Sequence, residues 1–207
     1  MPGTMTEADV VADLKRSLHD AGAAFDAPND ADWKRLLGVA LTAMQAKRPR
    51  TLLGTLDITA DEVRYAVTAS DFAQYKTHVW GSRPPKPWDP SYPGALPRVT
   101  AVHDAGGWAL MFDPAPSAEH IAAYGSTFRF WYFGKHVLDA ASESLSTLAA
   151  ADRPLLLLRA QAEAMRELSM RNVNKPVQLR DGFSGTPRNS TPAALYRELL
   201  SEFEGAR

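Results

Sequence analysis

The chain has 207 residues, 45% hydrophobic and 23% charged, with a formal net charge of −1. These values describe a globular protein with a substantial core, and they exclude chain-wide disorder and a generally basic nucleic-acid coat. The absence of cysteine excludes disulfides, thiolate nucleophiles and cysteine-ligated zinc, and no stretch is apolar for the roughly 18 residues that a membrane-spanning helix needs.

The opening MPGTMTEADVVADLKRSLHD is polar and acidic, unlike a secretory signal, so synthesis in a cytoplasm is expected. Thr6 caps a first helix with Glu7 and Asp9 near its positive end and Val10, Val11, Leu14 and Leu18 as its apolar stripe. Gly22 ends it. A second helix begins at Asp30 or Asp32 and reaches Lys47, with Trp33, Leu36, Leu37, Ala40, Leu41 and Met44 at helical spacing, and Pro49 stops it.

The period then changes to two. Leu52, Gly54, Leu56 and Ile58 alternate, followed by Val63, Tyr65 and Val67, then by Tyr75, Thr77 and Val79. Six prolines in GSRPPKPWDPSYPGALP make residues 81–97 an extended loop. Strands resume at Arg98–His103 and Trp108–Phe112 around the turn Asp104-Ala105-Gly106-Gly107. After a proline-flanked break, Thr127–Phe133 forms an aromatic strand, with Phe128, Phe130 and Tyr132 on one face and Arg129 and Trp131 on the other. A short helix over Val137–Leu148 is expected, diluted by Ser142, Ser144 and Ser146.

Asp152 and Pro154 open a long helix running to Asn172. Leu155, Leu158, Ala162 and Met165 form one stripe and Leu157, Ala164 and Leu168 another, so the helix packs on two neighbours. Arg159, Glu163, Arg166 and Glu167 fall on the opposite, polar side. That side is expected to accept Arg159→Glu with Arg166→Glu almost without cost. Thr191-Pro192 starts a last helix striped by Leu195, Leu199 and Phe203.

Helices, then strands, then helices predict an α+β fold. An N-terminal helix pair (1–49) and two C-terminal helices form a helical bundle. It carries an inserted antiparallel β unit (50–133), a connecting segment with the long core helix (134–173), and a C-terminal arm with its helix (174–207).

Catalytic signals are absent. His19, His78, His103, His120 and His136 show no metal-ligand spacing. In GFSG, Thr186 stands where a nucleophile elbow needs glycine after Ser184. No P-loop or GxGxxG occurs, and no acid/base pair stands out among the carboxylates. No cofactor or metal is therefore expected. Lys76, Arg83, Lys86 and Arg98 cluster in sequence, as do Lys175, Arg180 and Arg188. Such groups suit non-specific contact with nucleic-acid phosphates, although solvation of exposed loops is the simpler account. An acidic protein surface is a further candidate partner for the late cluster.

The glycines and prolines of residues 175–192 block regular structure, and Val177, Leu179 and Phe183 are spaced as anchors. This reads as an interaction arm. Lys175, Val177, Leu179, Arg180, Phe183 and Arg188, with Tyr196, Leu199 and Phe203 of the last helix, form the expected partner interface. Truncation after Asn172 is expected to leave a folded protein unable to assemble.

The tracts FRFWYFGKHVL, DRPLLLLRAQAEAMRELSMRN, KPVQLRDG and TPAALYRELLSEFE resemble tailed-bacteriophage head–tail connector (adaptor) proteins over about half of the chain. The β insertion is longer than in the smallest adaptors. The resemblance implies a non-enzymatic virion protein at the head–tail junction, made in the host cytoplasm. It also implies a dodecameric homo-oligomeric ring beneath the portal protein, with a channel for genome passage, an arm reaching into the portal, and outer parts meeting the next tail or neck component. Alternatives from the residues are an enzyme or ligand-binding protein with a pocket between the β unit and the helices, using some of His103, His120 and His136, or a monomeric binding module.

Overall fold

A computed structural model describes residues 6–82, 85–140, 142–171 and 191–206. It is an α+β fold that divides into a helical unit, Met1–Arg48 with His136–Arg207, and a β unit, Pro49–Lys135.

In the helical unit, α1 (Glu7–Leu18) begins with a capping box. The Thr6 hydroxyl accepts the Asp9 N–H, and the Asp9 carboxylate accepts the Thr6 N–H. Two 3₁₀ turns, His19–Ala24 and Pro28–Asp30, lead into α2 (Ala31–Lys47). The long helix α4 (Arg153–Arg171) packs against α1, α2 and the last helix, α5 (Pro192–Gly205). The middle of its buried arc is Leu156, Ala160 and Ala164, at i, i+4, i+8. Leu155, Leu157 and Leu158 lie only half-buried at the arc's margins, so the two expected stripes are edges of one broader face.

The expected helix over Val137–Leu148 is not formed. Apart from one 3₁₀ turn, Glu143–Leu145, the described residues there are irregular, because their own side chains satisfy the backbone. The Ser146 hydroxyl accepts the Asp139 N–H (3.0 Å), the Asp139 carboxylate accepts the Ser142 N–H (2.7 Å), and the Thr147 hydroxyl accepts the Val137 N–H (2.9 Å). Leu138 and Leu148 still reach the helical core.

The β unit contains β1 (Arg50–Asp57), β2 (Arg64–Ala66), β3 (Phe72–Trp80), β4 (Arg98–Asp104), β5 (Gly107–Asp113), α3 (Ala118–Tyr124) and β6 (Thr127–Gly134). Two three-stranded antiparallel sheets result, ordered β1-β6-β3 and β2-β5-β4. Phe128, Phe130 and Tyr132 of β6 join Phe72, Trp80, Leu110 and Phe112 in the core. Gly54 lies opposite Phe130, and a Cβ there would stand 2.4 Å from the ring, so only glycine lets the ring cross β1.

Helix α3 occupies the expected proline-flanked break. Its capping box uses the Ser117 hydroxyl, which accepts the His120 N–H, while His120 Nδ1 accepts the Ser117 N–H. That acceptance leaves the ring proton on Nε2, which donates to the Ala95 carbonyl (3.2 Å).

Candidate functional site

The expected contact set divides. Lys175, Val177, Leu179, Arg180, Phe183 and Arg188, and the GFSG serine Ser184, lie outside the described residues. Tyr196 and Leu199 are half-buried against the helical core. Phe203 is 6% exposed inside that core, with the Lys47 ammonium and the Arg159 guanidinium over its ring at 5.9 and 5.8 Å. It is a core side chain, which removes it from the contact surface.

The polar side of α4 is also corrected. Glu163 is 4% exposed, and Arg159 Nη2 and Arg166 Nε donate to its two carboxylate oxygens at 2.6 and 2.7 Å. The Arg159 side chain is 12% exposed, and its Nη1 has no hydrogen-bond partner among the described residues. Helix α5 lies over this face through Phe203, so the ion pair sits under a helix instead of in water. Glu167 does face the surface, between Arg35 and Arg171. Burial pushes its carboxyl upward, but the hydrogen bonds from the two arginines outweigh it and hold the group below the usual glutamate value.

Four of the five histidines make contacts within the fold, and His19 is exposed. His136 Nε2 donates to the Arg48 carbonyl (2.7 Å), His103 meets the edge of Trp108, and His78 lies tilted against Phe128 while stacking on and bonding Tyr75. Burial lowers the His78 pKa and raises that of Tyr75. Among the described residues, no three His, Asp or Glu side chains gather as metal ligands. No described helix is long and apolar enough to cross a membrane.

Of the first basic cluster, Lys76 lies over Phe133, Lys86 lies over Trp88, Arg98 opens β4, and Arg83 is outside the described residues.

The surface with most to offer a partner belongs to the β1-β6-β3 sheet. One face is core. The other presents Leu53 (55% exposed), Val79, half-buried Trp131 and Phe133, the cations Lys76 and Arg129, and Asp57 at a corner. The Ile58 N–H donates to the Ser126 carbonyl (2.7 Å), which sets the phase of the ladder: even-numbered residues of β1 bond β6. The N–H and C=O groups of Thr51, Leu53 and Thr55 therefore point to the free edge, without a backbone partner among the described residues. The opposite edge, β3, is broken by two register shifts and carries Lys76, two devices that discourage strand addition. Strand β1 has no such protection along its middle. The sequence placed Trp131 and Arg129 on the face opposite Phe128, Phe130 and Tyr132, but its exposure and the edge order needed the pairing.

Known proteins add no label: no family model matches the chain, and no curated protein matches it.

Proposed function

We propose that this chain is a structural virion subunit, a head–tail connector whose copies form a ring joining the portal to the tail around the path of the genome. The observation that carries the reading is that two of the four resembling tracts join in one helical unit. Residues 153–171, from DRPLLLLRAQAEAMRELSMRN, and residues 192–204, from TPAALYRELLSEFE, pack as α4 against α5, and the β unit is inserted between α2 and α4. The exposed apolar face and unprotected β1 edge support it further. Such features are aggregation hazards on a solitary domain and contacts on a ring subunit. The protein acts by contact and not by catalysis, with the portal on one side and a tail or neck component on the other. DNA contact in the channel is non-specific.

The test is composition. Mass spectrometry of purified virions of the encoding phage should find this chain at a copy number matching the portal. Its absence from tailed virions that contain portal overturns the proposal.

A further inference from the structure

We propose that Trp88 of one copy seats in the apolar cleft at the start of α4 of a second copy, forming a head-to-tail subunit contact. The inference rests on the connector reading for its ring, and on the following geometry for the contact itself.

Trp88 is 76% exposed, although the turn that carries it is ordered. The Asp89 carboxylate accepts the Lys86 N–H (2.7 Å), the Asp89 N–H donates to the Lys86 carbonyl (2.8 Å), and the Tyr92 N–H donates to the Asp89 carbonyl (3.0 Å). The Lys86 ammonium stands 5.2 Å over the indole, and Pro85, Pro87 and Pro90 fix φ on both sides. The ring is thus held out by a stiff turn whose ordering cost is met before any partner arrives. Tryptophans so placed are the side chains that dominate interfaces.

A cleft of about 400 Å³ in the helical unit has the complementary character. Ala151, Pro154, Leu155, Leu158 and Ala206 supply apolar walls, and Arg48 and Asp152, 3.3 Å apart, form a charged rim. Two other clefts among the described residues have mixed walls, one with Lys15, His19, Asp26 and Asp30 beside Phe25 and Trp33, the other with Ser82, Thr127 and Arg129 beside Val79 and Tyr124. The rim also matches in charge. Lys86 and Asp89 flank the indole on the turn, and Asp152 and Arg48 flank the cleft, so each charge of the turn has an opposite charge to meet.

A second copy is the occupant because anchor and cleft are both present on every chain and are different surfaces. A contact between unlike surfaces repeats head to tail, and it closes into a ring when the rotation allows.

The cysteine-free sequence permits a direct test. Full-length Ser91→Cys and Leu158→Cys single variants, which keep the Trp88 indole, are mixed and oxidised, alone and with co-expressed portal, and the disulfides are mapped by mass spectrometry. The expected product is the mixed dimer in several-fold excess over either self-dimer, and a ladder of oligomers from the double variant. Self-dimers in statistical ratio, no disulfide in either setting, or a double variant bonded only within one chain would each overturn the proposal. Ala151→Cys replaces Leu158→Cys if the latter lowers the melting temperature. Trp88→Ala should weaken self-association by on the order of 30-fold in sedimentation. A cross-linked ladder that never closes would keep the contact and remove the connector reading, whereas a closed ring without the cross-link would do the reverse.

Discussion

At the scale of single residues, the informative group is Glu163. A carboxylate in the middle of a helix, three or four residues from arginines, reads from sequence as a solvated polar face. It is instead enclosed, with Arg159 nearly so, because α5 covers that side of α4. Removing it leaves the Arg159 guanidinium buried without a counter-charge. Glu163→Ala should therefore cost about 3 kcal/mol or more, measured by chemical denaturation. Arg159→Glu with Arg166→Glu is therefore not near-neutral, since the first change puts a second carboxylate beside buried Glu163; Arg166→Glu alone, at a more exposed position, should cost less. His78 contributes to the pH dependence of the β unit below neutrality, ahead of the carboxylates Asp104 and Glu119, which act at lower pH. Its folded pKa lies below the ordinary 6.5 because burial disfavours the imidazolium. The unfolded chain then binds more protons, so the contribution of neutral His78 is present above about 6.5 and declines as pH falls through and below that value. His78→Phe should flatten the acid side of the stability–pH curve; an unchanged slope would show that another group governs it.

At the scale of elements, most of the architecture was readable where periodicity is long. Caps and stops located α2, α4 and α5 and the start of α1 within a residue or two, and the period-two runs located the strands; α1 itself stops at Leu18, four residues before the expected Gly22, where the chain tightens into a 3₁₀ turn. Two errors share a cause, local polar chemistry competing with pattern. Ser117 and His120 build a helix start inside a proline-flanked stretch too short to show periodicity, and the Asp139, Ser142 and Ser146 bonds undo a helix that spacing suggested. The role of α5 was misread for a different reason: its stripe of Leu195, Leu199 and Phe203 fits a partner's groove as well as its own core, and only packing distinguishes the two. With Phe203 buried, truncation after Asn172 should unfold the helical unit instead of producing a soluble, assembly-defective chain. Phe203→Ala should cost roughly 3 to 5 kcal/mol. Leu179→Ala with Phe183→Ala should leave the melting temperature nearly unchanged while impairing assembly, and a comparable loss of stability would place those side chains in a core.

At the scale of the whole molecule, composition and pattern identified a helical bundle with an inserted β unit, and the chain divides at Arg48/Pro49 and Lys135/His136. The surfaces for assembly were less legible. A free strand edge such as β1 depends on which strands pair, and an exposed tryptophan such as Trp88 is indistinguishable in sequence from a buried one. We propose that copies of this chain close into a ring on a portal. Cryo-electron microscopy of the full chain co-expressed with the portal of the same phage tests it most directly. The expected result is a closed, dodecameric ring coaxial with the portal; portal particles without added density, beside monomers of this chain, would contradict the proposed ring.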